Sequence, residues 1–232
     1  MSFYITGDTH GSFGRIFSFC EKNNTTKDDV IIILGDAGIN YYLFGMDENL
    51  KSELHAMPIT FFCIHGNHEE RPFNIPSYEE QIWHGATVYV EPRYPNIIFA
   101  KDGEIYDFEG QKYIAIGGAY SVDKYIRLMR GYPWFESEQP DDKIKAYVES
   151  QLEKVNWTVD GVFSHTVPID YEPTWAFLSG IDQSRIDKTT EIWLGKIEKK
   201  LKYKRWFAGH FHVDSQEGPI TIMFKKIERL IG

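Results

Sequence analysis

Short apolar runs rich in β-branched and aromatic residues recur at residues 3–6, 30–34, 59–64, 113–116, 161–163 and 205–208. Each is too short for a helix and is followed within two residues by Gly or a polar side chain, so each predicts a buried strand. Between them the period changes. Phe13, Ile16, Phe17 and Cys20 follow an i, i+3, i+4, i+7 spacing, and Ile144, Val148, Leu152 and Val155 keep a comparable stripe, as do Leu194, Ile197 and Leu201. These spacings predict helices with one apolar face. Residues 86–116 read instead as several short consecutive strands, with turns at "KDGE" and "FEGQ". Strand and helix alternate at both ends of the chain, which predicts an α/β class with mixed sheets. No repeat, low-complexity segment or composition break divides residues 1–232, so a single domain is expected.

Composition narrows the function classes. At 42% hydrophobic and 25% charged residues the chain is an ordinary globular sequence. A formal net charge of -9 opposes stable binding to nucleic acid or to an anionic membrane. Cys20 and Cys63 lie in apolar stretches without metal spacing and read as core residues. The chain opens on a strand rather than on a basic and apolar leader, and it carries no run of 18 apolar residues, so a cytoplasmic protein without membrane contact is expected.

The chemistry is concentrated where the strands stop. "YITGDTHG" places Asp8 and His10 after the first run, and "IIILGDAG" places Asp36 after the second. "FFCIHGNHEE" adds Asn67 and His68, "VFSHTVP" adds His165, and "WFAGHFHV" adds His210 and His212. Open α/β sheets bind ligands beyond the carboxyl ends of their strands. If the last run stays extended, His210 and His212 point to one side. Imidazole, carboxylate and amide oxygen without thiolate suit Mn, Fe(II), Zn or Co in an open catalytic site rather than a closed structural one. Asp8, His10, Asp36, Asn67, His165, His210 and His212 are more ligands than one ion needs, which implies two.

The ordered set "GDTHG", "GDAG", "GNHE", "SH" and "GHFH", spread over residues 7–212, resembles the calcineurin-like metallophosphoesterase superfamily. "AIGGAYSVD" is similar to its small, mostly bacterial or phage branch. The resemblance implies a four-layer α/β/β/α sandwich of two mixed sheets. It also implies two divalent ions, Mn2+ first, with Fe or Zn as alternatives. Asp8, His10 and His212 would hold one ion, Asn67, His165 and His210 the other, and Asp36 would bridge them. His68 would donate a proton to the leaving oxygen or stabilise charge there, while a metal-bound hydroxide attacks phosphorus in line. Glu69 would orient His68 or begin a helix.

Where the family motif often continues as GD-x-x-D-R-G, this chain reads "GDAGINYY", departing at Asn40 and Tyr41. The phosphate-gripping arginine of the protein-phosphatase branch is therefore missing, and Arg127 or Arg130 is left as its replacement, with Arg127 taken as the substrate contact. The expected reaction is hydrolysis of a small phosphomonoester or phosphodiester. A nucleotide substrate, either a dinucleoside polyphosphate or a cyclic nucleotide, and a non-catalytic scaffold are the alternatives. Oligomeric state is not constrained. Tyr41, Tyr42, Phe44, Tyr120, Tyr125, Tyr132, Trp134 and Phe135 crowd the same loops, either as packing, which is preferred, or as a surface for stacking a base. No H-x-H-x-D-H block is present, and "GNHEER" lacks the second His of a zinc protease helix.

Overall fold

A computed structural model describes residues 1–230. In chain order the first strands are β1 (Phe3–Thr6), β2 (Val30–Ile33), β3 (Thr60–Cys63), β4 (Glu79–Trp83), β5 (Ala86–Val90), β6 (Ile97–Ala100) and β7 (Ile105–Phe108). They are followed by β8 (Gln111–Ile116), β9 (Gly161–Ser164), β10 (Arg205–Ala208), β11 (Ser215–Glu217), β12 (Ile220–Ile222) and β13 (Ile227–Arg229). The helices are α1 (Gly14–Asn23), α2 (Gly45–Ala56), α3 (Lys124–Arg130), α4 (Asp142–Lys154) and α5 (Thr189–Lys200).

The strands form two mixed sheets, ordered β13-β1-β2-β3-β6-β5-β4 and β11-β12-β10-β9-β8-β7. In the first, β1, β2, β3 and β6 are parallel neighbours, and in the second β8, β9, β10 and β12 are. The outer strands run antiparallel, as β4, β7 and β11 do. Parallel strands are apolar on both faces because both faces are covered. Strand β2 shows this with period two: Val30 and Ile32 enter the core between the sheets with Phe62, Tyr113, Phe163 and Phe207. Ile31 and Ile33 face the other way, against Ile16 and Cys20 of α1 and Leu54 of α2. On the far side Val148 and Leu152 of α4 and Leu194 and Ile197 of α5 cover Ile114, Val162 and Trp206 of the second sheet. The four-layer α/β/β/α sandwich expected from the resemblance is the observed fold.

Every apolar run read as a strand is one, and the three helical stripes become α1, α4 and α5. Cys20 and Cys63 are buried and free. The stretch 86–116 does hold consecutive short strands, but its two turns differ in kind. Glu109 and Gly110 take left-handed φ values of 53° and 85° and close a two-residue hairpin between β7 and β8. Residues 101–104 instead carry the chain from one sheet to the other, since β6 and β7 belong to different sheets.

Candidate metal centre

The six central parallel strands β1, β2, β3, β8, β9 and β10 deliver their following loops to one edge of the sandwich. There the backbone leaves ordinary conformations: His10, Asp36, His210 and His212 have φ of 47°, 48°, 69° and 54°. Left-handed non-glycine residues cost on the order of 1–3 kcal/mol each and persist where the surroundings hold them. The holding contacts are His10 N–H to the Asp36 carbonyl (2.8 Å), His210 N–H to Asp8 Oδ1 (2.9 Å) and His68 N–H to Asp36 Oδ1 (2.8 Å). Gly66 is fixed by a close approach, because a Cβ there would lie 2.0 Å from Asp36 Oδ1. Gly66→Ala is therefore expected to displace Asp36 and weaken Mn2+ affinity by about 10–100-fold, the scale of a disturbed ligand support. Isothermal titration checks this, and unchanged affinity would contradict it.

The turn at 209–212 also corrects one expectation. His210 and His212 do not share a face, because both are left-handed and Phe211 N–H bonds back to the Gly209 carbonyl at 2.8 Å. The extended period is broken, and the two rings part. His212 Nε2 lies 2.8 Å from His10 Nε2 and 3.3 Å from Asp8 Oδ2, whereas His210 Nδ1 lies 3.0 Å from Asn67 Oδ1. Asn67 Oδ1 also sits 2.8 Å from His165 Nε2. Asp36 stands between the two groups: Oδ2 is 3.8 Å from His10 Nδ1, and Oδ1 is 3.7 Å from His165 Nε2.

These distances fit cations. His165 Nδ1 faces the Leu34 carbonyl at 2.7 Å, and a carbonyl only accepts, so that nitrogen carries the proton. In the neutral ring Nε2 is then a bare lone pair aimed at Asn67 Oδ1, and two acceptors so close call for positive charge between them. Asp8 Oδ2 is buried and makes no hydrogen bond among the described residues. Geometry groups Asp8, His10 and His212 as one set able to hold a metal, and Asp8, Asp36 and His165 as another.

Electrostatics agree with an anionic pair ready for cations. Burial would raise the Asp8 carboxyl, but His212 and His165 hold it below the usual carboxylate range. Asp36 is likewise held down against burial by His165, His68 and His10. Burial, reinforced by His165, pushes His210 down to about 3, which leaves its ring neutral as ligation requires. The Asp8 carboxylate beside His212 raises that ring instead.

His68 is half-buried at the rim, with Nε2 3.9 Å from Asp36 Oδ2. Burial lowers its pKa. Arg127, on α3, reaches the same place: Nη2 is 3.3 Å from His68 Nε2, Nε donates to Asp123 at 2.8 Å, and Nη1 donates to the Tyr41 hydroxyl at 3.1 Å. Arg130 is exposed at the end of the same helix. Glu69 does neither thing expected of it. No helix begins there, and its carboxylate accepts from Gly66 N–H (3.0 Å) and Gly38 N–H (3.1 Å), tying two ligand loops together. Burial, with the Asp36 charge, pushes Glu69 up to about 8.

Sequence reasoning missed Ser121, whose hydroxyl accepts from Asn67 Nδ2 at 2.9 Å and so turns the amide oxygen toward the histidines. It also missed Arg15, whose Nη2 donates to the Gly7 and Asp8 carbonyls at 2.9 and 2.7 Å. Ser121 lies in the "AIGGAYSVD" stretch, but its own role is not marked there, and nothing in the local sequence marks Arg15. The preference for packing holds for Tyr120 and Phe135, which are buried, but Tyr42, Phe44, Tyr125 and Tyr132 are exposed. Tyr42 and Phe44 precede α2, Tyr125 is on α3 and Tyr132 follows it, and burial in the core does not account for these four.

Among solved structures the chain is similar to phosphopantetheinyl hydrolase (PptH) from Mycobacterium tuberculosis, at 14% identity and a TM-score of 0.54, covering 96% of this chain and 88% of that one. A second crystal structure aligns at 13% identity and a TM-score of 0.53, covering 96% and 89%. TT1561 of Thermus thermophilus aligns at 11% identity over 98% of this chain and 96% of its own, with a TM-score of 0.46. At these identities the first two likenesses are of fold. No curated protein matches the chain in sequence. The sequence model for calcineurin-like phosphoesterases matches residues 1–214, nearly the whole length and every candidate ligand. With that match, the chain belongs to the calcineurin-like phosphoesterase family, whose members are metal-dependent phosphoester hydrolases.

Proposed function

We propose that the chain holds two divalent cations and hydrolyses a small phosphomonoester or phosphodiester, with Mn2+ as the working metal and Fe or Zn as substitutes. The observation that carries this reading is the buried, hydrogen-bond-free Asp8 Oδ2 facing two imidazole nitrogens. A few ångströms away, His165 Nε2, whose ring proton faces the Leu34 carbonyl from Nδ1, lies 2.8 Å from Asn67 Oδ1, and His210 Nδ1 converges on the same oxygen at 3.0 Å. Asp8, His10 and His212 hold one ion, Asn67, His165 and His210 the other, and Asp36 serves both. When bound, the cations supply Lewis-acid polarisation of the phosphate and lower the pKa of attacking water.

The chain's own residues do the rest. The left-handed loops fix the ligands before substrate arrives, so little reorganisation accompanies the reaction. Ser121 and the Leu34 carbonyl hold Asn67 and His165 in the ligating orientation. His68, which lines both cavities that open onto the centre, gives a proton to the leaving oxygen. Arg127, anchored by Asp123 and Tyr41, presents its remaining N–H groups to phosphate oxygens.

Hydrolysis of p-nitrophenyl phosphate and of its bis-ester, with and without added Mn(II), tests the reading. Turnover that appears with Mn(II) and disappears with chelator is expected, and the faster ester assigns monoesterase or diesterase. Equal rates with and without metal would overturn it.

A further inference from the structure

Two cavities open onto this centre. One, of about 420 Å³, lies between Tyr41, Tyr42, Met46 and Arg127. The other, of about 280 Å³, has Asp36, Asn67, His210 and His212 in one wall and continues under residues 172–191. Its remaining walls carry an apolar group of Phe177, Leu178, Ile181, Ile186 and Phe211, with Phe177 and Phe211 nearly parallel at 6.3 Å, beside the polar Asp123, Glu172, Gln183 and Lys188. Of the polar groups in that lining, one has a buried oxygen without a partner among the described residues. Glu191 on α5 lines the cavity at 4% exposure, and its Oε2 makes no hydrogen bond among the described residues.

From this geometry we infer that the smaller cavity receives the organic group of the phosphoester, an apolar chain or ring bearing a hydrogen-bond donor that meets Glu191. The inference rests on the proposed phosphohydrolase reading, because the ester phosphorus must lie at the metal wall for its organic group to enter the cavity. An apolar surface continuous with a reactive centre is the usual form of a small-molecule site, with a few polar groups setting orientation. Leu178 is 67% exposed although it lines the cavity, so apolar area is left open to water that a bound group would cover. A buried carboxylate oxygen without a partner is left with its desolvation cost uncompensated, which a ligand donor would offset. Burial pushes the Glu191 carboxyl up to about 7, while its own backbone N–H and the nearby Thr166 hydroxyl pull it down. Lys188 pairs with Glu172 at 2.6 Å and makes no ion pair with Glu191. The larger cavity, lined in part by Met46 and Leu50, has no such unpaired buried side-chain atom among its described lining residues.

Binding of non-hydrolysable phosphonates to the Mn2+-loaded chain by isothermal titration tests this. Benzylphosphonate is expected to bind at least about 10-fold tighter than methylphosphonate, the order of one buried apolar group. One of the 2-, 3- or 4-aminobenzyl isomers should gain about 10-fold more. The Leu178→Ser/Ile181→Ser variant, altered on an irregular surface segment, should lose the benzyl advantage. Glu191→Leu should lose only the amino gain, and Tyr42→Ala, in the other cavity, should keep both. If no phosphonate binds, the phosphohydrolase reading falls and the inference with it. If methylphosphonate binds but benzylphosphonate binds no tighter, or if Tyr42→Ala removes the advantage, the reading stands and this assignment of the cavity is overturned. An amino gain that survives Glu191→Leu, or no amino gain at all, overturns the role given to Glu191.

Discussion

Asp36→Asn is expected to reduce metal binding to one ion per chain or none and to lower turnover by about 10^3-fold or more, equivalent to about 4 kcal/mol of transition-state stabilisation. Asp36 lies between the two ligand groups, with one oxygen 3.8 Å from His10 and the other 3.7 Å from His165. An amide keeps the shape but removes the negative charge, and it turns an N–H2 group toward one of the two clusters. At that side the histidine nitrogens then face a donor instead of a ligand. Elemental analysis and steady-state kinetics on the same preparation check the result. An Asn variant holding two ions and turning over within tenfold of the parent would show that Asp36 does not serve both.

His68→Ala should behave in the opposite manner, keeping the full metal complement while kcat falls by about 10^2–10^4-fold, the usual contribution of a positioned acid. The residue follows the proposed ligand Asn67, and its Nε2 meets the donors Arg127 Nη2 and Asn67 Nδ2 at 3.3 and 3.2 Å rather than a second imidazole or carbonyl. A leaving-group series separates its role from simple positioning. Alkyl phosphates, whose alkoxides need a proton to depart, should lose most, and p-nitrophenyl phosphate, with a weakly basic leaving group, should lose least. Metal loss in this variant would make His68 a ligand. An equal loss across the series would deny it the proton.

Much of this arrangement is legible in the sequence because each chemical residue directly follows a strand. Asp8, Asp36, Asn67, His165 and His210 all lie within four residues of a strand's carboxyl end, so reading the strands also locates the proposed ligands. Elements with weak periodicity are not legible. Helix α2 has only Leu50 and Leu54 as a stripe, and it is anchored by a buried Lys51–Glu91 pair at 2.7 Å that looks like surface charge in sequence. Strand β4 is an edge strand exposed along almost its whole length, and β11, β12 and β13 have three residues each. Period-based reasoning has nothing to hold in such segments.

The same limit applies at the site. Ser121 and Arg127 reach Asn67 and His68 across more than fifty residues of chain, and Glu191 enters its cavity from a helix that reads as ordinary. The segment 172–188 that roofs the cavity is built of short 3-10 turns with no apolar period. His-x-His is the reverse case: the residues are visible in the sequence, but the left-handed backbone that separates them is not.

Metal content of the purified chain after Mn(II) loading and removal of excess, measured by elemental analysis, tests the central claim most directly. Two manganese ions per chain are expected. One ion, or none, would contradict a centre in which Asp36 joins two ligand sets.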